Sequence, residues 1–262
     1  MKTFKLHLIR HGLTSGNLQG LYIGSGTDIP LCDEGRAQLA ELKERFEYPQ
    51  VDTVFSSPLM RAVETANILF PNATHQFSVH DLREAGFGVF ENHPVKELVK
   101  NEDFKKWITP APACAGGRRA HGTVPRTLLG DAAQAVRVYD PDGRHRGCCV
   151  THGGVIMSML SQRALPSRHP EQWMADPGCG YTVQTDVQLW MRDRLVEAID
   201  IVPSAMPIPC GVRRKLRRTK HSNKKERSAA LRFCRRAAFL YSFGTKNQQR
   251  KRKTCGRTLS NP

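Results

Sequence analysis

The chain opens with the stretch Phe4-Lys5-Leu6-His7-Leu8-Ile9-Arg10-His11-Gly12, in which an apolar run leads directly into an arginine, a histidine and a glycine. A second stretch repeats the arrangement, since Cys148-Cys149-Val150-Thr151 runs into His152-Gly153-Gly154. Short apolar runs of this kind predict buried strands. Ligands of open α/β sheets bind at the carboxyl ends of the strands. We therefore expect one site that is formed by both strand-end histidines.

Apolar strand-like runs alternate with amphipathic segments along the first 203 residues. We predict helices that begin at a cap on Asp33, at Ser57-Pro58 as cap and first helical position, and over Val155–Leu165. Further strands are predicted over Val51–Ser56, Gln76–Val79, Tyr181–Trp190 and Leu195–Ile201. This alternation predicts an α/β fold with a mainly parallel sheet that is covered by helices.

The charge of the chain is concentrated at its C-terminal end. The net charge is +16, but residues 204–262 hold 18 Lys and Arg with one acid, so residues 1–203 carry a net charge of −1. We predict one domain over 1–203 and a disordered basic tail over 204–262. The tail has few aromatic residues and no nucleic-acid motif, so disorder, or translation past a natural end, is favoured over nucleic-acid binding.

Residues 111–147 interrupt the strand and helix pattern. The segment is rich in Ala, Gly, Arg and Pro and shows no helical stripe, which is atypical for an insert of this length in an α/β domain. Two hypotheses account for it: a compensated shift of the reading frame, or a divergent cap over the substrate.

The cysteines and the apolar runs indicate the cellular compartment that we expect for the protein. The eight cysteines lack zinc-ribbon or CxxC spacing, and no signal peptide is recognisable, so we expect reduced thiols and a cytoplasmic location. No apolar run approaches the ~20 residues of a membrane span, so no membrane association is expected.

The residues around the two histidines predict phosphate chemistry. Arg10 and Arg61 carry planar, permanently charged guanidinium groups that suit phosphate oxygens, and Asn17 can supply a neutral donor. Gly153 would open a helix whose N-terminal amides favour an anion. The candidate proton donor, which follows a short strand, is Glu84. Without a carboxylate cluster, the set predicts phosphoryl transfer through a phosphohistidine, with no metal and no cofactor.

Four ordered motifs carry a resemblance to a known family. They are Leu8-Ile9-Arg10-His11-Gly12-Leu13-Thr14-Ser15-Gly16-Asn17, Ser56-Ser57-Pro58-Leu59-Met60-Arg61-Ala62-Val63-Glu64-Thr65-Ala66, Leu82-Arg83-Glu84-Ala85-Gly86-Phe87-Gly88-Val89-Phe90-Glu91 and Val150-Thr151-His152-Gly153-Gly154. Together they resemble the histidine phosphatase superfamily, which includes the cofactor-dependent phosphoglycerate mutases. The resemblance implies a three-layer α/β/α sandwich. It also implies His11 as the phosphorylated nucleophile, Glu84 as the proton donor, and a phosphate pocket of Arg10, Asn17, Arg61 and His152.

The sequence departs from the family pattern in two places. Asn92 stands where glycine often follows the Phe-Glu pair, and asparagine tolerates left-handed backbone conformations. Residues 111–147 lack the Pro-Gly-Gly-Glu-Ser-like turn and the helix that relatives place before the second histidine.

The motifs favour one activity and leave two alternatives open. The acid motif is most like that of α-ribazole and broad-specificity phosphatases, so the expected activity is hydrolysis of a small phosphorylated metabolite, with α-ribazole phosphate as a candidate. Phosphoglycerate mutase-type transfer and a catalytically impaired phosphate-binding relative are the alternatives. The expected partner is the small substrate, and a homodimer stays open.

Overall fold

A computed structural model of the chain describes residues 3–108 and 146–205. The atypical segment 111–147 therefore lies outside the described residues, except for its last two positions. Of the predicted tail, only Ser204 and Ala205 are described. The hypotheses about both segments stay predictions.

Seven strands form one twisted sheet. In chain order its strands are β1 (Thr3–Arg10), β3 (Thr53–Ser56), β4 (His75–Ser78), β5 (Arg146–Thr151), β6 (Ala164–Leu165), β7 (Gly180–Asp186) and β8 (Val196–Val202), and their spatial order is β4-β3-β5-β1-β7-β8-β6. The pairs β4–β3, β3–β5, β5–β1 and β8–β6 are parallel, while β7 runs antiparallel to both neighbours. The predicted mainly parallel sheet is confirmed.

Seven helices connect or cover these strands in the described part of the chain. They are α1 (Ser15–Leu18), α2 (Asp33–Arg45), α3 (Met60–Leu69), α4 (Val95–Leu98), α5 (Glu102–Ile108), α6 (Gly153–Arg163) and α7 (Val187–Asp193). Short 3₁₀ turns occur at His80–Leu82, Gly88–Phe90 and Pro170–Trp173. A two-stranded ribbon pairs β2 (Phe46–Glu47) with β9 (Ser204–Ala205), so the folded region extends through Ala205.

The central strands of the sheet are buried on both faces, and their successive residues alternate between two cores. Ile9, Val54 and Val150 pack on one face with side chains of α2 and α3, such as Leu39 and Ala66. On the other face, the strand residues Leu8, Phe55 and Cys149 pack with Val155, Ile156, Met159 and Leu160 of α6. Because side chains of a strand point alternately to opposite faces, the inward positions of these three central strands are mostly apolar, and the buried His7 bonds to the Thr182 hydroxyl oxygen at 2.9 Å. The helices on both faces complete the three-layer α/β/α sandwich.

The structure corrects several predicted boundaries. The helix predicted over Val155–Leu165 runs over Gly153–Arg163 instead, because Ala164 and Leu165 pair with β8 as β6. The cap of α2 is Cys32, whose sulfur accepts the Gly35 amide at 3.3 Å, rather than Asp33. The helix predicted from Ser57 begins at Met60 instead, because the chain first leaves the strand through Ser57. The predicted strand Tyr181–Trp190 ends at Asp186, whose carboxylate accepts the Leu189 amide and starts α7.

Candidate active site

The carboxyl ends of three neighbouring parallel strands bring the predicted site together. Arg10 of β1 is in register with Thr151 of β5, and Ser56 of β3 is in register with Val150. The ladder continues one residue past the strands, since the His11 amide donates to the Thr151 carbonyl at 2.9 Å. His11 and His152 therefore emerge side by side, with their ring centroids 5.1 Å apart.

The ring of His11 is held in one orientation by its own loop. Its Nδ1 lies 2.7 Å from the Gly12 carbonyl oxygen, and the residue is buried. A carbonyl oxygen only accepts, so Nδ1 carries the hydrogen and Nε2 keeps its lone pair. The loop is itself fixed, because the Gly12 amide donates to Thr65 Oγ1 at 2.9 Å, and that hydroxyl donates to the Arg61 carbonyl at 2.6 Å. Nε2 of His11 is thus the nitrogen available for attack.

His152 is held by a buried hydroxyl. Its Nε2 lies 2.8 Å from Ser57 Oγ, and Ser57 also accepts the Leu59 amide at 3.3 Å. Ser57 has a single hydrogen, which it can donate to Nε2, and in that tautomer the ring proton of a neutral His152 stays on Nδ1. Within the described residues, Nδ1 of His152 is buried and has no hydrogen-bond partner. It is therefore the nitrogen left to donate to a bound anion.

Burial and charge keep both imidazoles neutral. Desolvation, followed by the charges of Arg10 and Arg61, lowers the pKa of His11 well below its ordinary value of 6.5. Desolvation and the neighbouring His11, Arg61 and Arg10 lower the pKa of His152 in the same way. A neutral imidazole is the nucleophilic form, so the site holds His11 ready to attack at neutral pH.

Arg10 is anchored by the loop that precedes β7. Its Nη1 donates to the Ala175 carbonyl at 2.9 Å, and its own carbonyl accepts the Gly178 amide at 3.0 Å. Gly153, the first residue of α6, lies against the same guanidinium, because a Cβ there would stand 3.3 Å from Arg10 Nε. The helix N-terminus and the guanidinium thus adjoin, which is a favourable setting for an anion.

Arg61 lies on the first turn of α3 and is almost completely buried. Its two terminal nitrogens donate to carbonyls of the loop after α1, Nη1 to Thr27 at 3.0 Å and Nη2 to Gly24 at 3.1 Å. Each terminal nitrogen has a second hydrogen that these two bonds do not use. Arg61 therefore holds the loop while its charge acts on the two histidines.

Glu84 faces the N-terminus of α6. Its Oε2 accepts the Gly154 amide at 3.1 Å, and its Oε1 accepts the Ala85 amide at 3.1 Å. Desolvation raises the pKa of Glu84 above its ordinary value of 4.5, against the opposing effects of these amides and of Arg61 and Arg10. A raised pKa keeps a larger fraction of the carboxyl group protonated, as a proton donor requires.

The structure separates Glu84 from the two other carboxylates of the motifs. Glu64 pairs with Arg36 at 2.8 Å, away from the histidines. Glu91 accepts hydrogen bonds from the Gly26 amide, the Thr27 hydroxyl and the Phe87 amide. The carboxylate that adjoins α6 and the site arginines is Glu84.

Asn17 lies in α1, the short helix that follows His11 in the chain. Its Oδ1 accepts the Thr14 amide at 3.2 Å and the Thr14 hydroxyl at 3.1 Å, which forms a capping box on α1. Any contact of Asn17 with phosphate would therefore use its Nδ2 group. Its place in the phosphate pocket stays a prediction.

Sequence reasoning missed two supporting residues. Ser57 was assigned to a helix cap, and Thr65 was given no part in the site. The signals were their spacing: Ser57 directly follows a strand end, and Thr65 lies one helical turn after Arg61. Their hydroxyls contact His152 and Gly12 only because three strands and α3 converge here.

Metal sites and membrane spans can be assessed over residues 3–108 and 146–205, which the structure describes. No group of three or more His, Cys, Asp or Glu side chains there is arranged to hold a metal ion. No helix in the same ranges is both long enough and apolar enough to cross a membrane.

Several known proteins are similar to this chain in sequence. Fructose-2,6-bisphosphatase TIGAR B of Danio rerio is 41% identical over 106 residues, which cover 38% of this chain and 41% of that protein. Phosphoglycerate mutase-like protein 4 of Arabidopsis thaliana is 33% identical over 168 residues, 61% of this chain and 70% of that protein. The adenosylcobalamin/α-ribazole phosphatase of Salmonella typhi is 26% identical over 185 residues, 68% of this chain and 89% of that protein.

Solved structures share the fold. The α-ribazole phosphatase from Shigella flexneri superposes with a TM-score of 0.58 at 22% identity, covering 79% of this chain and 100% of that chain. A mycobacterial glucosyl-3-phosphoglycerate phosphatase superposes with a TM-score of 0.59 at 20% identity, over 78% and 100%. The model of the histidine phosphatase superfamily (branch 1) matches residues 6–196. The chain therefore belongs to the histidine phosphatase superfamily, whose named relatives are phosphatases and phosphoglycerate mutases.

Proposed function

We propose that the protein is a phosphomonoester hydrolase that works through a phosphohistidine on His11. The observation that carries the proposal is the 2.7 Å contact between His11 Nδ1 and the Gly12 carbonyl, which leaves Nε2 with its lone pair. The positive charges of Arg10 and Arg61 act on the His11 ring, and the centroid of the His152 ring lies 5.1 Å from that of His11. This arrangement suits attack on phosphorus and stabilises the charge of the transferring group.

The first half of the reaction moves the phosphoryl group to the enzyme. Nε2 of His11 attacks phosphorus and forms a P–N bond while the ester P–O bond breaks. Protonated Glu84 gives its proton to the leaving alkoxide, so an alcohol departs and a carboxylate remains. Arg10, Arg61 and Nδ1–H of His152 hold the phosphoryl oxygens.

The second half returns the enzyme to its starting state. Ionised Glu84 accepts a proton from water as the water oxygen attacks phosphorus. The P–N bond breaks, its electron pair returns to Nε2 of His11, and inorganic phosphate leaves. Glu84 is then protonated again, so it acts first as acid and then as base.

The substrate class we propose is a small phosphorylated metabolite. α-Ribazole phosphate is the first candidate, because α-ribazole phosphatases occur among both the sequence relatives and the structural neighbours. Fructose 2,6-bisphosphate belongs in the same panel because of the zebrafish relative, although the chain matches only 41% of that protein's length. The proposal also includes a cytoplasmic location, with the small phosphorylated substrate as the partner and a homodimer left open.

Two assays test hydrolysis against phosphoryl transfer. Full-length protein is incubated with p-nitrophenyl phosphate and α-ribazole 5′-phosphate, and inorganic phosphate is measured. In parallel, conversion of 3- to 2-phosphoglycerate is followed by NMR. We expect the rate of phosphate release to exceed that of isomerisation by at least about tenfold. A tenfold ratio of rates corresponds to a difference of about 1.4 kcal/mol in activation free energy. Isomerisation faster than phosphate release would instead assign a mutase, and a protein inactive in both assays would favour a phosphate-binding relative.

Gly154→Ala tests the closeness of α6 to the proton donor. A Cβ at this position would lie 2.6 Å from Glu84 Oε1 and 3.0 Å from Oε2, so the carboxylate must shift. Displacement of a reacting group by about 1 Å can lower turnover ~100-fold, and we expect a loss of this order in kcat/KM for an alkyl phosphate.

Gly86→Ala is the matched control for Gly154→Ala. It adds the same methyl group within the Glu84 loop, but the nearest atom is Ser25 Oγ at 3.3 Å. We expect it to retain activity within about threefold. Equal activity of both variants on an alkyl phosphate would contradict the proposed contact between Glu84 and α6.

A further inference from the structure

A second carboxylate, that of Glu91, lies at the junction of two loops beside the site. Its Oε1 accepts the Gly26 amide and the Phe87 amide, each at 3.0 Å. Its Oε2 accepts the Thr27 hydroxyl at 2.7 Å. One side chain thus joins residues 24–28, termed the tether loop below, to residues 84–91, the acid loop that carries Glu84.

The tether loop is held from the opposite side by Arg61. The guanidinium donates to the Gly24 and Thr27 carbonyls, so Arg61 and Glu91 both form hydrogen bonds to the same short segment. The loop is in turn bonded directly to the acid loop, because the Ser25 amide donates to the Ala85 carbonyl at 3.1 Å. The Ala85 amide donates to Glu84 Oε1 at 3.1 Å. An unbroken series of contacts therefore runs from Glu91 to the proton donor.

The fit between the two loops leaves no room for a side chain on Gly24 and little for one on Gly26. A Cβ on Gly24 would lie 2.5 Å from Glu91 Oε1 and 2.6 Å from the Ala85 carbonyl oxygen. A Cβ on Gly26 would lie 3.0 Å from both oxygens of Glu91. The backbone of the tether loop thus approaches the carboxylate directly, and small shifts of Glu91 must move the acid loop.

We propose that Glu91 is a positioning residue for the proton-transfer step, because its carboxylate sets the distance between the acid loop and the loop that Arg61 holds. The inference rests on the hydrolysis proposed above and adds a residue to it. Glu91 does not touch the reacting atoms; it acts through the Ala85 peptide on the orientation of Glu84.

The two carboxyl groups of the acid loop are kept in opposite states. Burial raises the pKa of Glu91, but the donors Phe87, Thr27 and Gly26, together with Arg61, outweigh it, so the pKa lies below the usual value. The pKa of Glu84 is raised. The acid loop therefore contains one carboxyl group whose ionised form is favoured by structural hydrogen bonds and one whose protonated form is favoured by burial.

Glu91→Gln separates positioning from general support of the fold. A glutamine amide is of equal size but carries no charge, and its NH2 group can only donate, so the Thr27 hydroxyl would have to accept where it now donates. The bonds from Gly26, Phe87 and Thr27 thus lose the strengthening that an ionised acceptor provides. A misplaced proton donor matters for a leaving alkoxide and hardly matters for p-nitrophenolate, which departs without a proton. General acid catalysis contributes about 10²–10⁴-fold, and we expect a part of it, ~10- to 100-fold, to be lost for alkyl phosphates.

The experiment measures kcat/KM of the full chain on a series of aryl and alkyl phosphates. It compares wild type, Glu91→Gln, Glu84→Gln as the reference, and Glu64→Gln as the matched control. Glu64 is a carboxylate paired to Arg36 with 27% of its side chain exposed, outside both loops. We expect Glu84→Gln and Glu91→Gln to lose activity increasingly as the leaving group becomes more basic. Glu64→Gln should follow wild type over the whole series.

A milder variant covers the case in which Glu91→Gln does not fold. Thr27→Val removes only the hydroxyl that donates to Oε2, and we expect the same leaving-group dependence with a smaller loss, about three- to tenfold. An equal loss on all leaving groups in Glu91→Gln and Thr27→Val, or a profile identical to that of Glu64→Gln, would overturn the inference. If Glu84→Gln then still loses activity increasingly with more basic leaving groups, the proposed hydrolysis is supported and the positioning role of Glu91 is not. A wild type that hydrolyses none of the series would overturn both.

Discussion

His11→Ala is expected to abolish phosphoryl transfer, with kcat reduced by ~10⁴-fold or more, as when a covalent nucleophile is removed from other enzymes. The reason is specific to this site: Nε2 of His11 combines a free lone pair with a lowered pKa and the nearby charges of Arg10 and Arg61. Wild-type protein that is quenched in alkali during turnover of a radiolabelled phosphomonoester should carry an acid-labile label, which mass spectrometry should place on His11. The variant should carry none.

The control for His11→Ala is His75→Ala. His75 is an exposed histidine at the start of β4, at the end of the strand that is opposite to the site. It should leave both the label and the activity unchanged. A label that persists on another residue in His11→Ala would refute His11 as the nucleophile, and equal turnover by wild type and His11→Ala would refute covalent catalysis.

Glu84→Gln is expected to lower kcat/KM for alkyl phosphates by about 10²–10⁴-fold, the usual contribution of a general acid. The loss for p-nitrophenyl phosphate should be much smaller, since its leaving group needs no proton. The pH profile has a definite sign. The pKa of Glu84 is raised, so wild-type activity on alkyl phosphates falls as pH rises through that pKa and the donor ionises. This alkaline limb should be absent in Glu84→Gln.

The stability of Glu84→Gln provides the accompanying control. A carboxyl group whose pKa is raised on folding stabilises the folded state below its unfolded pKa, and this contribution is lost as pH rises through the folded pKa. The stability of wild type relative to Glu84→Gln should therefore decrease from acid to neutral pH in thermal denaturation. An alkaline limb that is unchanged in Glu84→Gln would assign the proton transfer to another group.

Local patterns predicted the sheet and the two site histidines. The runs before His11 and His152 are mostly apolar at the positions that face the two cores, which predicts central strands whose carboxyl ends lie close together. Asn92 illustrates the same principle at one residue. It was expected to tolerate a left-handed backbone, and it adopts φ 61° at the end of the acid loop.

Element boundaries were less predictable because side-chain partners from elsewhere decide them. Ser57 has the sequence pattern of a helix cap, yet its hydroxyl contacts His152, 95 residues later in the chain. α3 then begins at Met60, whose amide donates to Asp28 of the tether loop. The strand predicted through Trp190 stops at Asp186 because that carboxylate caps α7.

By itself, the sequence determined the family, the mainly parallel α/β sheet and the residue types of a phosphate site, because apolar periodicity and strand-end motifs are local properties. Only the tertiary structure decided which of three carboxylates adjoins the helix over the site, which nitrogen of His11 is free, and what holds each imidazole. These distinctions depend on contacts such as Glu84 with Gly154 and Thr65 with Gly12. Such hydrogen bonds form between segments that are far apart in the chain, so no local pattern encodes them.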